Sequence, residues 1–146
     1  MNIRDIMTRT PACCVPGSRL EDVARLMVQK NCGAIPIVEN LETFKPVGII
    51  TDRDITLRTL ANGRNPLDMT AGDVMTIHPV TLTSDVSIET CCRVMENRSV
   101  RRIIVIDDAG KCIGIVAQAD IARSAPEHET AKLVKDISIA SFATAG

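Results

Sequence analysis

Aromatic side chains are almost absent from this sequence. Its 146 residues include no tryptophan and no tyrosine, and the two phenylalanines are Phe44 and Phe142. Proteins that bind a nucleobase by stacking need exposed aromatic rings. We therefore expect any flat ligand to lie between aliphatic side chains and the protein backbone.

A strong net charge and long apolar segments are also lacking. The 17 basic and 18 acidic residues give a formal net charge of −1, whereas nucleic-acid-binding surfaces usually come with a clear basic excess. No apolar run approaches the ~20 residues of a membrane span. The first ten residues also lack the apolar core of a signal peptide. These absences predict a cytoplasmic protein that binds neither nucleic acid nor membrane.

The six cysteines lack the C-x-x-C spacing that is typical of metal sites. Most of them fall within predicted strands or helices, and adjacent cysteines rarely form a disulfide with each other. We interpret them as small buried residues in a reducing compartment. A thiol or metal sensor remains the open alternative. Its candidate residues are Cys13, Cys14, Cys91 and Cys92, and the other two cysteines are Cys32 and Cys112.

The sequence does contain one unit written twice. The motif DIMT at Asp5–Thr8 recurs as DVMT at Asp73–Thr76, an offset of 68 residues. Beyond the loop that follows Val38 the offset is 66 residues, so that Asp54 recurs as Asp120. A repeat of this length sets the architecture. We expect two copies of one folded unit about a pseudo-twofold axis, and any site built by the unit should occur twice.

Apolar periodicity predicts an α/β fold with the order β-α-β-β-α in each copy. Ser18 and Glu21 have the spacing of a capping box for the first helix, and Ser84 and Asp85 both qualify as the cap of its counterpart. The predicted strands are 12–15, 34–38, 47–50, 80–82, 103–106 and 112–116, and the predicted helices begin near residues 20, 51, 88 and 117.

The repeat also divides the chain along its length. The first repeat covers residues 1–62 and the second covers residues 73–124. Residues 63–72 form a linker, which begins in a segment rich in asparagine, glycine and proline. Residues 125–146 are predicted to hold a weak helix, from about His128 to Ile137, and a polar tail.

Thr51 and Asp54 are the clearest candidates for ligand contacts. A strand ends at Thr51, and Asp54 follows on the same face of the next helix, three residues later. A carboxylate suits a ribose diol, and a hydroxyl at a helix N-terminus suits a ribose or phosphate oxygen. The same spacing is typical of an N-cap threonine followed by an acid that complements the helix dipole. The spacing alone leaves both interpretations open.

An ordered set of motifs resembles the CBS domain, the cystathionine β-synthase type. The set comprises M-T-x-x-P, the strand I-P-I-V and G-h-h-T-x-x-D after a strand, and it recurs in the second copy over about Met1 to Ser124. The resemblance implies a stand-alone tandem pair, or Bateman module, with two β-α-β-β-α repeats. It also implies a regulatory module that binds adenosyl ligands between its repeats and commonly dimerises.

The resemblance assigns roles to individual positions. It places ribose contacts on Asp54 and Asp120 and a hydroxyl contact on Thr51, where the second repeat has Ala117 instead. It implies that adenine lies against backbone and small aliphatic groups. In the first copy these are Thr10, Pro11, Ala12, Ala34, Ile35 and Pro36, and in the second copy residues 78–80 and 102–104.

The phosphate half of the predicted site is asymmetric. The resemblance implies a basic residue before the apolar strand of the opposite repeat, and Arg101 and Arg102 stand there in the second repeat. Two guanidiniums can bind phosphate in bidentate fashion, although an ion-paired strand edge would also explain them. We expect one competent nucleotide site, formed with Thr51 and Asp54. The Asp120 site should be weak, empty or suited to a ligand without phosphates.

The predicted function is therefore a non-enzymatic adenosyl-ligand sensor. AMP, ADP and ATP are the leading ligands, with NAD(H) and S-adenosylmethionine as further candidates. The sensor is expected to act as a homodimer on an unidentified effector protein. The sequence contains no P-loop, no dinucleotide fingerprint and no H-E-x-x-H motif, so no catalytic residues and no metal ligands are predicted. The alternatives are the thiol or metal sensor and a structural dimerisation module with degenerate sites.

Overall fold

The computed structural model describes residues 1–124, and the predicted C-terminal helix and tail lie outside them. The α/β fold with two repeats is confirmed. Among the described residues, no helix is both long and apolar enough to span a bilayer. In chain order the elements are β1 (Thr8–Arg9), α1 (Leu20–Lys30), β2 (Ala34–Val38), β3 (Pro46–Thr51), α2 (Asp52–Arg58), α3 (Ala71–Val74), β4 (Thr76–Ile77), β5 (Thr81–Thr83), α4 (Ile88–Arg98), β6 (Arg102–Ile106), β7 (Cys112–Ala117) and α5 (Gln118–Ser124), with short 3₁₀ helices at Ile3–Asp5, Leu60–Asn62 and Pro66–Asp68.

The chain forms two compact units, and each is built from parts of both repeats. The first unit contains residues 1–9, 80–108 and 113–124. The second unit contains residues 10–79 and 109–112. The opening residues of the chain therefore fold with the second repeat, and the opening of the second repeat folds with the first.

The first unit is built on a sheet with the strand order β1-β7-β6-β5. β1 pairs antiparallel with β7, and β5 pairs parallel with β6. The parallel pair is possible because α4 supplies the crossover between its strands. The core of the first unit consists of Ile3, Cys91, Met95, Ile103, Val105, Val116 and Ile121.

The second unit is built on an antiparallel sheet with the strand order β2-β3-β4. All five residues of β2 are buried, which explains why this strand is apolar throughout instead of alternating. In the register of β2 and β3, Ala34 lies opposite Thr51. The core of this unit consists of Leu20, Val23, Met27, Ile35, Ile37, Ile50, Met69, Ala71 and Val74.

The strand predicted at residues 12–15 is wrong in extent. Only Cys14 pairs there, through a parallel bridge to Ile37. The Cys14 N–H donates to the Pro36 carbonyl at 3.1 Å, and the Val38 N–H donates to the Cys14 carbonyl at 2.9 Å. Pro16 has no N–H to continue the ladder, which limits the segment to one bridge.

The predicted helix caps are also corrected. The hydroxyl of Ser18 accepts from the Val15 N–H at 3.1 Å, so the predicted capping box is absent, and α1 begins after Arg19 without a side-chain cap. The cap of α4 is Ser87, whose hydroxyl accepts from the Thr90 N–H at 3.1 Å. Neither Ser84 nor Asp85 takes that role, because the Asp85 carboxylate accepts from the Thr83 hydroxyl within the preceding turn.

Candidate functional site

The corner between β3 and α2 is held by Thr51 and Asp54 together. The Thr51 hydroxyl accepts from the Asp54 N–H at 3.1 Å, and the Thr51 N–H donates to Asp54 Oδ2 at 3.0 Å. This reciprocal pair is a capping box, and it confirms the N-cap interpretation of the sequence motif. Asp54 Oδ1 takes no part in the capping box, and the Asp54 side chain is 20% exposed. The corner therefore holds one carboxylate oxygen in a defined place where a ligand hydroxyl could donate to it.

Backbone pairing brings part of the predicted adenine segment to this corner. Ala34 faces Thr51 across the β2–β3 ladder, and Pro36 bonds to the segment that contains Cys14. The side chain of Ile35 has no exposed surface and lies in the core, so only its backbone is available to a ligand. Thr10 is exposed, and Pro11 and Ala12 are half-buried.

Thr10 has a left-handed backbone conformation, with φ of 48°. His78, the equivalent residue of the second repeat, has φ of 53°. Positive φ values are uncommon outside glycine. Both residues stand immediately before a proline, at the places where the chain passes between the two compact units. The strained turn at Thr10 thus sets the direction of the predicted Thr10–Ala12 segment.

The second corner, between β7 and α5, repeats only half of this arrangement. The Ala117 N–H donates to Asp120 Oδ2 at 2.7 Å, as Thr51 does to Asp54. Alanine has no hydroxyl, so the reciprocal bond is missing. The other oxygen, Asp120 Oδ1, accepts a hydrogen bond from the Arg123 guanidinium.

Two arginines beside the carboxylates were missed in reading the sequence. Arg58 donates to the carbonyls of Val74 at 2.9 Å and Met75 at 3.0 Å, while Arg123 bonds to Asp120. A basic residue three or four positions after an acid on a helix is the signal that identifies such partners.

Arg101 and Arg102 lie where the sequence predicted, immediately before and at the start of β6. The Arg101 carbonyl accepts from the Gln118 N–H at 2.8 Å, which ties the arginine pair to the start of α5. Arg101 is exposed and Arg102 is half-buried. Over residues 1–124, neither guanidinium belongs to an ion pair. Both arginines belong to the first unit, and Thr51 and Asp54 belong to the second, so their joint site remains a prediction.

Three of the six thiols, those of Cys13, Cys14 and Cys91, are poor candidates for ionised ligands or nucleophiles. A side-chain hydrogen bond with Cys112 and burial raise the pKa of the Cys13 thiol, and burial raises the pKa of the Cys14 thiol. Burial also raises the pKa of Cys91 to about 12. Thiolates are the reactive and metal-binding form. In the described part of the chain, no three side chains of His, Cys, Asp or Glu cluster as metal ligands.

Comparison with known families identifies both repeats. The sequence model of the CBS domain matches residues 3–59 and 71–127. The chain is 37% identical over 134 residues to Hypoxic response protein 1 of Mycobacterium tuberculosis, covering 92% of each sequence. It is also 32% identical over 123 residues to the uncharacterized protein MK0525 of Methanopyrus kandleri, of which it spans 59%.

Solved structures show the same fold. The crystal structure of Hypoxic Response Protein I with two coordinated zinc ions is 35% identical, with a TM-score of 0.75 over 86% of this chain and 100% of that one. The CBS domain pair of protein MJ0100, in complex with 5′-methylthioadenosine and S-adenosylmethionine, is 28% identical. Its TM-score is 0.75 over 84% of this chain and 94% of that one.

Proposed function

Because this chain belongs to the CBS domain family, as a tandem pair, we propose that it is a non-enzymatic regulatory module that binds an adenosyl ligand. One observation carries the proposal. The capping box at Thr51 and Asp54 holds a carboxylate oxygen, Asp54 Oδ1, at a rigid strand–helix corner. A ribose hydroxyl would donate to that oxygen, and the adenine would lie along the backbone of residues 34–36. Binding of adenine in this way needs no aromatic side chain from the protein, and the chain has almost none.

The proposed ligand is an adenine nucleotide, with AMP, ADP or ATP preferred. The complex of the MJ0100 domain pair with two adenosyl compounds supports the adenosine half. The phosphate half is supported by Arg101 and Arg102, since guanidinium groups bind phosphate through paired hydrogen bonds. NAD(H) and S-adenosylmethionine share the adenosine half and remain the further candidates.

The proposal includes a homodimer that acts on a separate effector protein. An apolar groove of about 300 Å³ on the second unit supports a protein interface. The Val28 side chain is 82% exposed there and Leu67 is 55% exposed. Glu21 and Arg25 at its edge form an ion pair with each other, so the edge of the groove carries no unbalanced charge from this pair. The apolar lining consists of Leu20, Ala24, Val28, Ile55, Pro66 and Leu67.

A metal-binding function is the second candidate, because the relative Hypoxic Response Protein I was crystallised with two coordinated zinc ions. Against it, the raised thiol pKa values of Cys13, Cys14 and Cys91 oppose formation of the thiolate that zinc binds. Zinc would therefore have to displace protons from thiols whose burial favours the protonated form.

Both candidates are tested by analysing what the purified protein releases on denaturation. Mass spectrometry should detect an adenosyl compound at about one per chain, and elemental analysis should detect little zinc. Asp54→Ala should release less of the compound and bind it more weakly by about 1–3 kcal/mol, because the ribose contact is lost.

Asp73→Ala is the matched control. Asp73 Oδ2 accepts from the Thr70 N–H at 2.8 Å in an equivalent capping box, but the residue has no proposed ligand contact. Equal loss of ligand in both variants would assign the effect of Asp54 to folding. If the wild type releases no adenosyl compound and no such ligand raises its melting temperature, the adenosyl proposal fails; zinc near one per chain would then favour the metal function.

A further inference from the structure

The two equivalent carboxylates differ in the partner of one oxygen. Oδ2 of each accepts the backbone N–H that precedes its helix, from Thr51 at 3.0 Å and from Ala117 at 2.7 Å. In each carboxylate, Oδ1 takes no part in that backbone contact. The contacts of this second oxygen decide whether a corner can receive a ligand.

In the second repeat this oxygen is already occupied. Arg123, one turn further along α5, donates to Asp120 Oδ1 and forms an ion pair with it. The Arg123 side chain is 72% exposed, whereas the Asp120 side chain is 11% exposed. The exposed guanidinium of Arg123 therefore bonds to a nearly buried carboxylate at the oxygen that the Ala117 N–H leaves unbonded.

In the first repeat the equivalent oxygen is open. The nearest guanidinium nitrogen, Nη2 of Arg58, is 4.0 Å from Asp54 Oδ1, beyond hydrogen-bond length. That guanidinium instead donates to the carbonyls of Val74 and Met75 and to the Thr76 hydroxyl. Backbone acceptors thus hold Arg58 away from the carboxylate.

A single position in the sequence accounts for this difference. With the offset of 66 residues that relates Asp54 to Asp120, the counterpart of Arg123 is Leu57. Leucine has no donor, so nothing at that position competes for Asp54 Oδ1. The two sites therefore differ at the residue one turn along the helix as well as at Thr51 and Ala117.

We propose that Arg123 is an internal plug that closes the second adenosyl site by occupying the ribose acceptor of Asp120. The proposal rests on the proposed function, in which Asp54 and Asp120 are the ribose acceptors. Arg123 acts through Asp120 and sets which of the two corners accepts a ligand. Since an ion pair with one largely exposed partner is worth little, the plug should weaken ribose binding by about three- to tenfold.

The test is calorimetric titration with adenosine, which carries no phosphate and so does not involve Arg101 or Arg102. The wild type should bind about one adenosine per chain. Arg123→Leu should reveal a second, weaker site, with affinity about three- to tenfold above that of the wild-type second corner. The reverse change, Leu57→Arg, should weaken the first site by a similar factor. Arg123→Lys should keep the second site closed.

The Asp54→Ala change, made with and without Arg123→Leu, separates the two sites. The double variant should bind adenosine at the second corner only. If Arg123→Leu leaves the second-site affinity unchanged, or lowers it because Arg123 itself contacts the ligand, the plug is refuted. If Asp54→Ala alone leaves first-site binding unchanged, the proposed function fails instead. Circular dichroism melting of each variant confirms that the compared proteins are folded.

Discussion

At the scale of the residue, the candidate site is built from side chains that also stabilise the fold. Thr51 and Asp54 satisfy two backbone N–H groups at the start of α2. A structural role at a helix start therefore does not exclude a binding role, because a carboxylate has two oxygens and the capping box uses only one. Within residues 1–124 the side chains of Arg101 and Arg102 have no such structural role, which makes them the better residues for testing ligand chemistry.

Arg102→Ala should weaken binding of ATP or AMP by about 1.5–3 kcal/mol while leaving adenosine nearly unaffected, since hydrogen bonds to charged groups contribute that much. The measurement is the difference in dissociation constant between ATP and adenosine for each variant. Arg98→Ala is the control, because Arg98 is an exposed arginine at the end of α4. An equal loss for adenosine would show that Arg102 does not contact phosphate.

At the scale of the element, the methionine that opens each repeat packs against a glycine in a strand of the same unit. A Cβ added at Gly48 would lie 2.6 Å from the Met75 sulfur, and one added at Gly114 would lie 2.6 Å from the Met7 sulfur. The segment that contains Met75 therefore crosses β3 at Gly48, and the segment that contains Met7 crosses β7 at Gly114. At both points a side chain larger than that of glycine would collide with the methionine. This contact holds β4 against β3 and β1 against β7.

Gly48→Ala should destabilise the protein by about 1–3 kcal/mol, because the added methyl overpacks the contact with Met75 and the Thr76 carbonyl. Chemical denaturation gives the free energy of unfolding. Gly17→Ala is the matched control, since nothing lies within 4 Å of a Cβ there. Equal unfolding free energies for the two alanine variants would contradict the close approach.

At the scale of the whole molecule, residues that are distant in sequence complete each compact unit. Ile3 has no exposed surface and belongs to the core formed by α4, β6 and β7. Its N–H donates to the Val86 carbonyl at 2.9 Å. The second repeat therefore depends on the first residues of the chain for part of its core.

Ile3→Ala should cost about 2–5 kcal/mol of stability, because it removes a fully buried side chain. Relative to the wild type, the variant should show a larger increase in the rate of amide hydrogen exchange in β6 of the first unit than in β2 of the second. Leu41→Ala, at a side chain that is 70% exposed, should change stability by no more than about 0.5 kcal/mol. Equal acceleration in β2 and β6 would mean that Ile3 supports both units alike.

The sequence alone predicted the elements whose patterns are local. The strands at 34–38 and 103–106 and the helix starts after Thr51 and Ala117 lie within one residue of their predicted places. Each is marked by a continuous apolar run or a cap, which depend on neighbouring residues. The strand predicted at 12–15 was wrong in extent because Pro16 has no N–H to continue the ladder. The cap predicted at Ser18 was wrong because the Ser18 hydroxyl accepts from the Val15 N–H instead.

The sequence by itself determined that this protein is a twofold repeat with an acid at equivalent corners, because repetition and helix capping are written in residue spacing. Only the tertiary structure decided that residues 1–9 complete the core of the second repeat. Only the structure, too, showed that Asp120 is covered by Arg123 whereas Asp54 is open. The physical reason is that strand pairing across the chain and the choice of partner for a guanidinium depend on distances in space, which spacing along the sequence does not define.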